Sequence, residues 1–164
     1  METKNIILVP LAMTEYSQGV FDYAAGVAEK YDTNILVISV INSRDVLSVE
    51  SVVSMGYDVD GEHYLAEIKK GRKKMMDTIV KTSGFPQDRV KILFKVGHPV
   101  DEILETLVRE SPALVVMGTQ GRSGFRDASI GGVAKQVFKR SPVPVLSYRG
   151  EKCREQLKKR IRLD

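Results

Sequence analysis

Cysteine is almost missing from this chain: Cys153 is the only one among 164 residues. A single thiol builds no disulfide framework and holds no metal by itself. Long hydrophobic runs are missing as well. Stretches such as residues 5–11 and 113–117 stop far short of the roughly 20 residues needed to span a bilayer. No basic stretch followed by an apolar region and a small-residue cleavage site opens the sequence. The expectation is a protein of a reducing, cytoplasmic compartment with no membrane span.

A charge of one sign spread over the whole chain is also absent. The net charge is +4, and from Arg149 onward there are seven Lys/Arg against three Asp/Glu, which is the entire excess. The body before the tail is neutral, so a general nucleic-acid-binding face is not supported. The tail, residues 150–164, reads as a solvated terminal helix or frayed end. What is present is the material of one domain, since a chain of this length falls within the usual span of about 100–200 residues. With 43% hydrophobic residues it can bury a core, which excludes disorder of the whole chain.

Strand-like and helix-like patterns alternate. Residues 5–10 (NIILVP), 34–41 (NILVISVI), 90–96 (VKILFKV), 113–117 (ALVVM) and 143–148 (VPVLSY) read as strands. Pro144 inside the last of them suits a sheet edge. Helical spacing opens at Thr14 and runs through Val20, Phe21, Ala24, Val27 and Ala28. It returns over residues 62–82, with Met75 and Met76 as core filler. It returns again from Pro99 through Val100, Ile103, Leu104, Leu107 and Val108. A last stripe comprises Ile130, Val133, Ala134, Val137 and Phe138. Residues 42–61 show no clear period and are expected to form a long loop, with room for a short helix. Five strands joined by four helical connections predict a doubly wound α/β domain: parallel strands, right-handed crossovers, helices on both faces.

In open α/β sheets ligands sit beyond the carboxyl ends of the strands, where the winding reverses. The loop after the fourth strand, residues 118–132, carries five glycines in fifteen residues: Gly118, Gly121, Gly124, Gly131 and Gly132. Glycine lets backbone amides approach an anion closely. Gly131 and Gly132, at the following helix start, are expected to offer unpaired amides and a positive dipole end to phosphate. Arg122 and Arg126 are placed to add charge-assisted contacts. The plainer alternative is a surface loop with turn glycines. There is no G-x-x-x-x-G-K-[ST] in the chain and no G-x-G-x-x-G after the first strand, which removes P-loop ATPases and dinucleotide-dependent dehydrogenases.

Gly118, Gly121 and Gly131 fit the G-x2-G-x9-G signature. With the opening IILVP, the VGHP of residues 96–99 and the SPVPVL of residues 141–146, the sequence resembles the universal stress protein family over residues 4–148. The resemblance implies a domain over residues 1–149 with a five-stranded parallel sheet ordered 3-2-1-4-5. It implies ATP as ligand, with or without Mg²⁺, across the ends of the first and fourth strands, and a homodimer through the last strand. By motif match, Pro10, Leu11 and Ala12 border adenine and ribose, and Val40 ends the second strand. Met117 and Gly118 lie under the nucleoside, while Gly121, Gly131, Gly132 and Val133 cradle phosphates beside Arg122. Two positions depart from the family pattern. Ala12 stands where ATP-binding members usually carry Asp, and Gly132 where the signature ends in Ser or Thr.

Other residues carry plainer readings. His98 is expected to be a loop residue, and His63 to lie on an exposed helix start. Asp101, Glu102 and Glu105 suit the first turns of a helix, with Mg²⁺ binding as the alternative. Cys153, among Lys152, Arg154 and Lys158, has the charge environment of a redox-active thiol. No spacing supports a nucleophilic triad, and no general base stands out, so no catalytic residue is assigned. Three readings remain: an ATP-binding stress-response regulator with slow or no hydrolysis, a nucleotide-free homodimeric scaffold, and a weak ATPase or nucleotide-dependent transferase.

Overall fold

Short β-branched runs make the middle of the molecule. The computed structural model describes residues 4–54, 61–120 and 130–161. Strands β1 (Lys4–Pro10), β2 (Asn34–Asn42), β3 (Val90–Gly97), β4 (Pro112–Gly118) and β5 (Val145–Tyr148) form one sheet, ordered β3-β2-β1-β4-β5. Every adjacent pair is parallel. The strands buried on both faces are β1, β2 and β4, which explains why their sequences are continuously apolar rather than alternating. β5 begins one residue after Pro144, whose carbonyl accepts from Val115 N–H at 2.9 Å. The proline therefore precedes the strand instead of lying inside it.

Two cores flank the sheet. Helices α1 (Ser17–Lys30) and α3 (Gly61–Ser83) bury Phe21, Ala24, Met76 and Ile79 against Ile7, Val9, Ile35 and Val37. Helices α4 (Pro99–Glu110) and α5 (Gly132–Arg140) bury Ile103, Leu107, Ala134 and Val137 against Leu8, Leu36 and Ile38. The residue parity is that of a strand, whose successive side chains face opposite sides. The architecture is the expected α/β sheet with helices on both faces. Among the described residues no helix is long and apolar enough to cross a membrane.

Several local expectations are corrected. Within residues 42–61, expected to be a long loop with room for a short helix, residues 43–54 form a twelve-residue helix, α2 (Ser43–Ser54). It starts where the Asn42 side-chain oxygen accepts the Arg44 N–H at 3.0 Å, an arrangement that favours a helix start. α1 opens at Ser17 rather than Thr14, because residues 13–16 are occupied by a turn that includes Met13 at φ 54. Met75 is exposed, and Met76 alone of the pair is core. In the last stripe only Ala134 and Val137 are buried, while Ile130, Val133 and Phe138 are exposed. The tail is neither frayed at its start nor wholly solvated. Residues Glu151–Lys158 form helix α6, which buries Cys153 to 2% exposure. Burial at that level does not suit the accessible thiol of a redox site.

Candidate functional site

β1 and β4 lie side by side, but their chains leave the sheet in opposite senses. β1 runs into α1 on one face, and β4 leads to α5 on the other. Between the diverging connections opens a crevice at the carboxyl ends of the strands, where doubly wound sheets place ligands. The crevice has a volume of about 320 Å³. Its floor is Pro10 at the end of β1 with Leu11 just after it, Ile38 and Val40 from β2, and Met117 and Gly118 from β4. One wall is Thr14, Tyr16, Ser17 and Val20 at the start of α1, and the opposite wall is Gly131–Ala134 at the start of α5.

The chain is shaped locally for this. Leu11 N–H donates to the Ile38 carbonyl at 3.0 Å, after which the backbone turns sharply at Met13, a non-glycine residue in the left-handed region. Thr14 N–H then donates to Ser17 Oγ at 3.0 Å and Tyr16 N–H to Thr14 Oγ1 at 3.3 Å. These bonds fold the segment back into α1. The Tyr16 hydroxyl has its pKa raised, chiefly by its hydrogen bond with the Glu15 side chain. At the end of β4, Gly118 approaches Val20 so closely that a Cβ would stand 3.1 Å from Val20 Cγ2. Thr119 then ties both ends of the glycine-rich loop: its N–H donates to the Tyr148 carbonyl at 3.1 Å, and its carbonyl accepts from Gly131 N–H at 2.7 Å.

That last bond corrects one expectation. The Gly131 amide is not unpaired, since it closes the loop on Thr119. Gly131 is the N-cap of α5 with no side-chain cap, and the first helical bond runs from Lys135 N–H to the Gly131 carbonyl. The helix-start donors left for an anion are therefore those of Gly132, Val133 and Ala134, at the positive end of the helix dipole.

Nine of the residues singled out from the sequence line this one crevice: Pro10, Leu11, Ala12, Val40, Met117, Gly118, Gly131, Gly132 and Val133. Gly121 and Arg122, like Arg126, lie outside the described residues. Missed by sequence reading were Asn42 and, above all, Arg72 from α3. Arg72 Nη1 donates to Ser39 Oγ at 2.8 Å and to the Val40 carbonyl at 2.9 Å. One signal was present: Arg72 falls four residues after Ile68 and four before Met76, on the stripe that α3 turns toward the sheet.

The α4 carboxylates are engaged elsewhere. Asp101 pairs with His98 Nδ1 at 3.2 Å and with Arg140 at 3.7 Å, and Glu102 pairs with Lys95 at 3.8 Å. Glu102 also packs over Gly97, where a Cβ would collide with it. Among the described residues no Asp or Glu lines the crevice, and no group of three or more His, Cys, Asp or Glu is arranged to hold a metal.

Comparison with known proteins agrees with this architecture. A Staphylococcus aureus (strain USA300) protein assigned to the universal stress proteins is 28% identical over 152 residues, 92% of this chain and 87% of that protein. A Staphylococcus epidermidis protein of the same assignment is 26% identical over 159 residues, 96% of this chain and 91% of its own. The structure of universal stress protein UspA from Lactobacillus plantarum superposes with a TM-score of 0.68 at 19% identity, covering 91% of this chain and all of that one. A universal stress protein crystallised in complex with cAMP superposes with a TM-score of 0.59 at 17% identity, covering 90% of this chain and 98% of that one. At such identities the structural likeness speaks for the fold alone. A model of the universal stress protein family matches residues 4–149, from the first strand through the last. The chain belongs to the universal stress protein family.

Proposed function

We propose that the crevice binds a nucleotide, ATP in the first instance, and that the protein is a cytoplasmic stress-response regulator whose occupancy state is read by its partners. The observation that carries the reading is the division of the crevice into two ends. At one end, Pro10, Leu11, Val40 and Met117 make an apolar bed for a nucleoside. At the other, the uncapped start of α5 offers amides and a positive dipole to phosphates. Gly121 and Arg122 join the phosphate end in this reading. Mg²⁺ would arrive with the nucleotide. No described side chain is arranged as a general base, so hydrolysis is slow or absent, because phosphoryl transfer depends on positioning and charge stabilisation.

The test begins with what the protein carries. Purified protein is denatured, and the released small molecules are separated and weighed by mass spectrometry. Stoichiometric ATP or ADP supports the reading, as does calorimetric binding of Mg·ATP. Gly132→Phe places a ring at the start of α5, beginning from a Cβ that meets nothing within 4 Å. It is expected to weaken Mg·ATP by at least tenfold. Unchanged affinity in that variant defeats the proposed phosphate end.

A second reading is favoured by Ala12 and Gly132, which remove a carboxylate and a hydroxyl from the family pattern. A nucleotide-free scaffold would leave the crevice unused in the wild type. Ala12→Asp with Gly132→Ser is then expected to create ATP binding where the wild type shows none. Wild-type saturation at micromolar ATP eliminates this reading. In both, we propose a homodimer through β5, a four-residue strand at the sheet edge with one unpaired side. Light scattering that gives a monodisperse monomer at micromolar concentration overturns the dimer.

A further inference from the structure

The two walls of the crevice are helix starts that differ from the others in the fold. α2, α3, α4 and α6 open with Asp45, Glu62, Asp101 with Glu102, and Glu151 in their first turns, and such carboxylates offset the positive end of a helix dipole. α1 and α5 have no acidic residue in the first turn and no side-chain cap. Glu15, just before α1, is hydrogen-bonded to the Tyr16 side chain and does not line the crevice. Two positive ends without a carboxylate of their own therefore meet one space from opposite sides. The nucleotide reading above uses only the one at α5.

Hydroxyl groups complete the α1 side. Thr14 Oγ1 accepts from Tyr16 N–H, and Ser17 Oγ accepts from Thr14 N–H. A hydroxyl that accepts still has its own hydrogen to give, and neither gives it to a described residue. Between the walls stands Thr119, only 3% exposed yet part of the lining. Its backbone is bonded to Tyr148 and Gly131, but its hydroxyl takes no hydrogen bond among the described residues. The one described side-chain oxygen that is sealed without a partner is Thr33 Oγ1, at the far end of β2. Thr119 Oγ1 is thus not sealed in, and it opens on the crevice.

Three hydroxyl donors beside a helix start recognise an acceptor, an anion above all. Position 12 decides whether one can be received. A carboxylate there would accept from a ribose hydroxyl and repel a phosphate from the same place. In this chain the position is an exposed alanine, and among the described residues no Asp or Glu lines the crevice. The stereochemistry of a nucleotide agrees with this. On ribose the base and the 5′-carbon leave one face of the ring, and the 2′- and 3′-oxygens leave the other. A 5′-phosphate on α5 therefore turns the 2′,3′ edge away from that wall and toward α1.

We infer that the α1 wall is a second phosphate site, and that the crevice takes a nucleotide phosphorylated on the ribose, at the 2′- or 3′-oxygen, as well as at the 5′ end. Thr14, Ser17 and Thr119 donate to the ribose phosphate, and Ala12 leaves room for it. The inference rests on the nucleotide reading above and specifies its ligand class.

Calorimetry on the full chain compares AMP with adenosine 3′,5′-bisphosphate and adenosine 2′,5′-bisphosphate, which differ from AMP by the ribose phosphate alone. One bisphosphate is expected to bind wild type about tenfold tighter than AMP, the gain of a charge-assisted hydrogen bond. Ala12→Asp, at an exposed position, should reverse the order, so that AMP binds more tightly than either bisphosphate. Thr119→Val keeps the shape of the side chain and should shrink the advantage about threefold. If Thr119→Val fails to fold, Ala12→Asp alone decides. Bisphosphates that bind no more tightly than AMP, or an advantage unchanged in either folded variant, overturn the second site while nucleotide binding at α5 stands. A wild type that binds neither these compounds nor Mg·ATP defeats the nucleotide reading, and this inference with it.

Discussion

Gly132 occupies the first position of α5, with open space where a side chain would begin. A serine there would set a hydroxyl beside the same helix start that offers its amides to the crevice. One added neutral hydrogen bond contributes about 0.5–1.5 kcal/mol. Gly132→Ser is therefore expected to tighten Mg·ATP about two- to tenfold by calorimetry, and a weaker complex would count against phosphate at this position. Much of the crevice lining was named residue by residue, because the resemblance to the family supplied its strand ends by motif match and the run of glycines marked its helix start. Arg72 was not, because it sits inside the run KKGRKK, where five cations look like one solvated surface. Its spacing from Ile68 and Met76 was the one mark in the sequence, and the fold completes it by turning position 72 toward β2 and leaving Lys73 and Lys74 outside. The Gly131 amide was misread for a related reason: the carbonyl it meets belongs to Thr119, twelve residues earlier.

Adjacent residues of α4 separate burial from hydrophobicity. Leu107 is fully buried between the sheet and α5, whereas Val108 next to it is 57% exposed. Leu107→Ala should cost about 2–5 kcal/mol by removing core contacts. Val108→Ala should stay within about 0.5 kcal/mol, and denaturant midpoints compare the two. α1 meets β5 at a tighter place, where a Cβ on Gly19 would lie 2.5 Å from the Tyr148 hydroxyl. Tyr148 in turn packs on Tyr23, with ring centroids 5.9 Å apart. Gly19→Ala should therefore lower Tm despite its gain in helix propensity of about 1 kcal/mol. In a Tyr148→Ala background the same change should raise Tm, and equal effects in both backgrounds would remove the contact from the explanation. The sequence left α2 as no more than room for a short helix, because four serines and four valines in twelve residues are mediocre helix formers with no clean stripe. Contact with α3 and β2 decides its form instead. α6 carries a titration of its own. Lys158, at 2.7 Å, holds the Glu155 carboxyl below its ordinary range. With the folded pKa lowered, the pair's contribution is complete above the unfolded carboxylate pKa and fades as pH falls through the folded value. Amide protection in α6 should accordingly fall only in acid, and Glu155→Gln should flatten that dependence.

The whole molecule is two halves sharing one sheet, and the crevice lies on their seam. A ligand there touches the β1–α1 side and the β4–α5 side together, so binding should stabilise the fold as a unit. At a concentration one hundred times Kd the gain is about 2.7 kcal/mol, or roughly 5–10 °C in Tm for a chain of this size. A thermal scan with and without nucleotide reads it directly, and Gly132→Phe should cut the shift to about half or less.

The helix that follows the last strand shares a wall with the crevice. A Cβ on Gly150 would rest 3.3 Å from the Tyr16 ring, and Tyr16 lines the crevice on its other side. On the buried face of that helix sits the chain's single thiol, Cys153, sealed to 2% exposure with Arg149 4.0 Å away. The protein thus comes with its own chemical clock. A thiol-reactive dye attaches only when the final helix lifts, at one known atom and with no cysteine to be engineered in or out. The labelling rate counts those openings, and its change when the crevice is filled tells whether the far end of the chain senses the occupant.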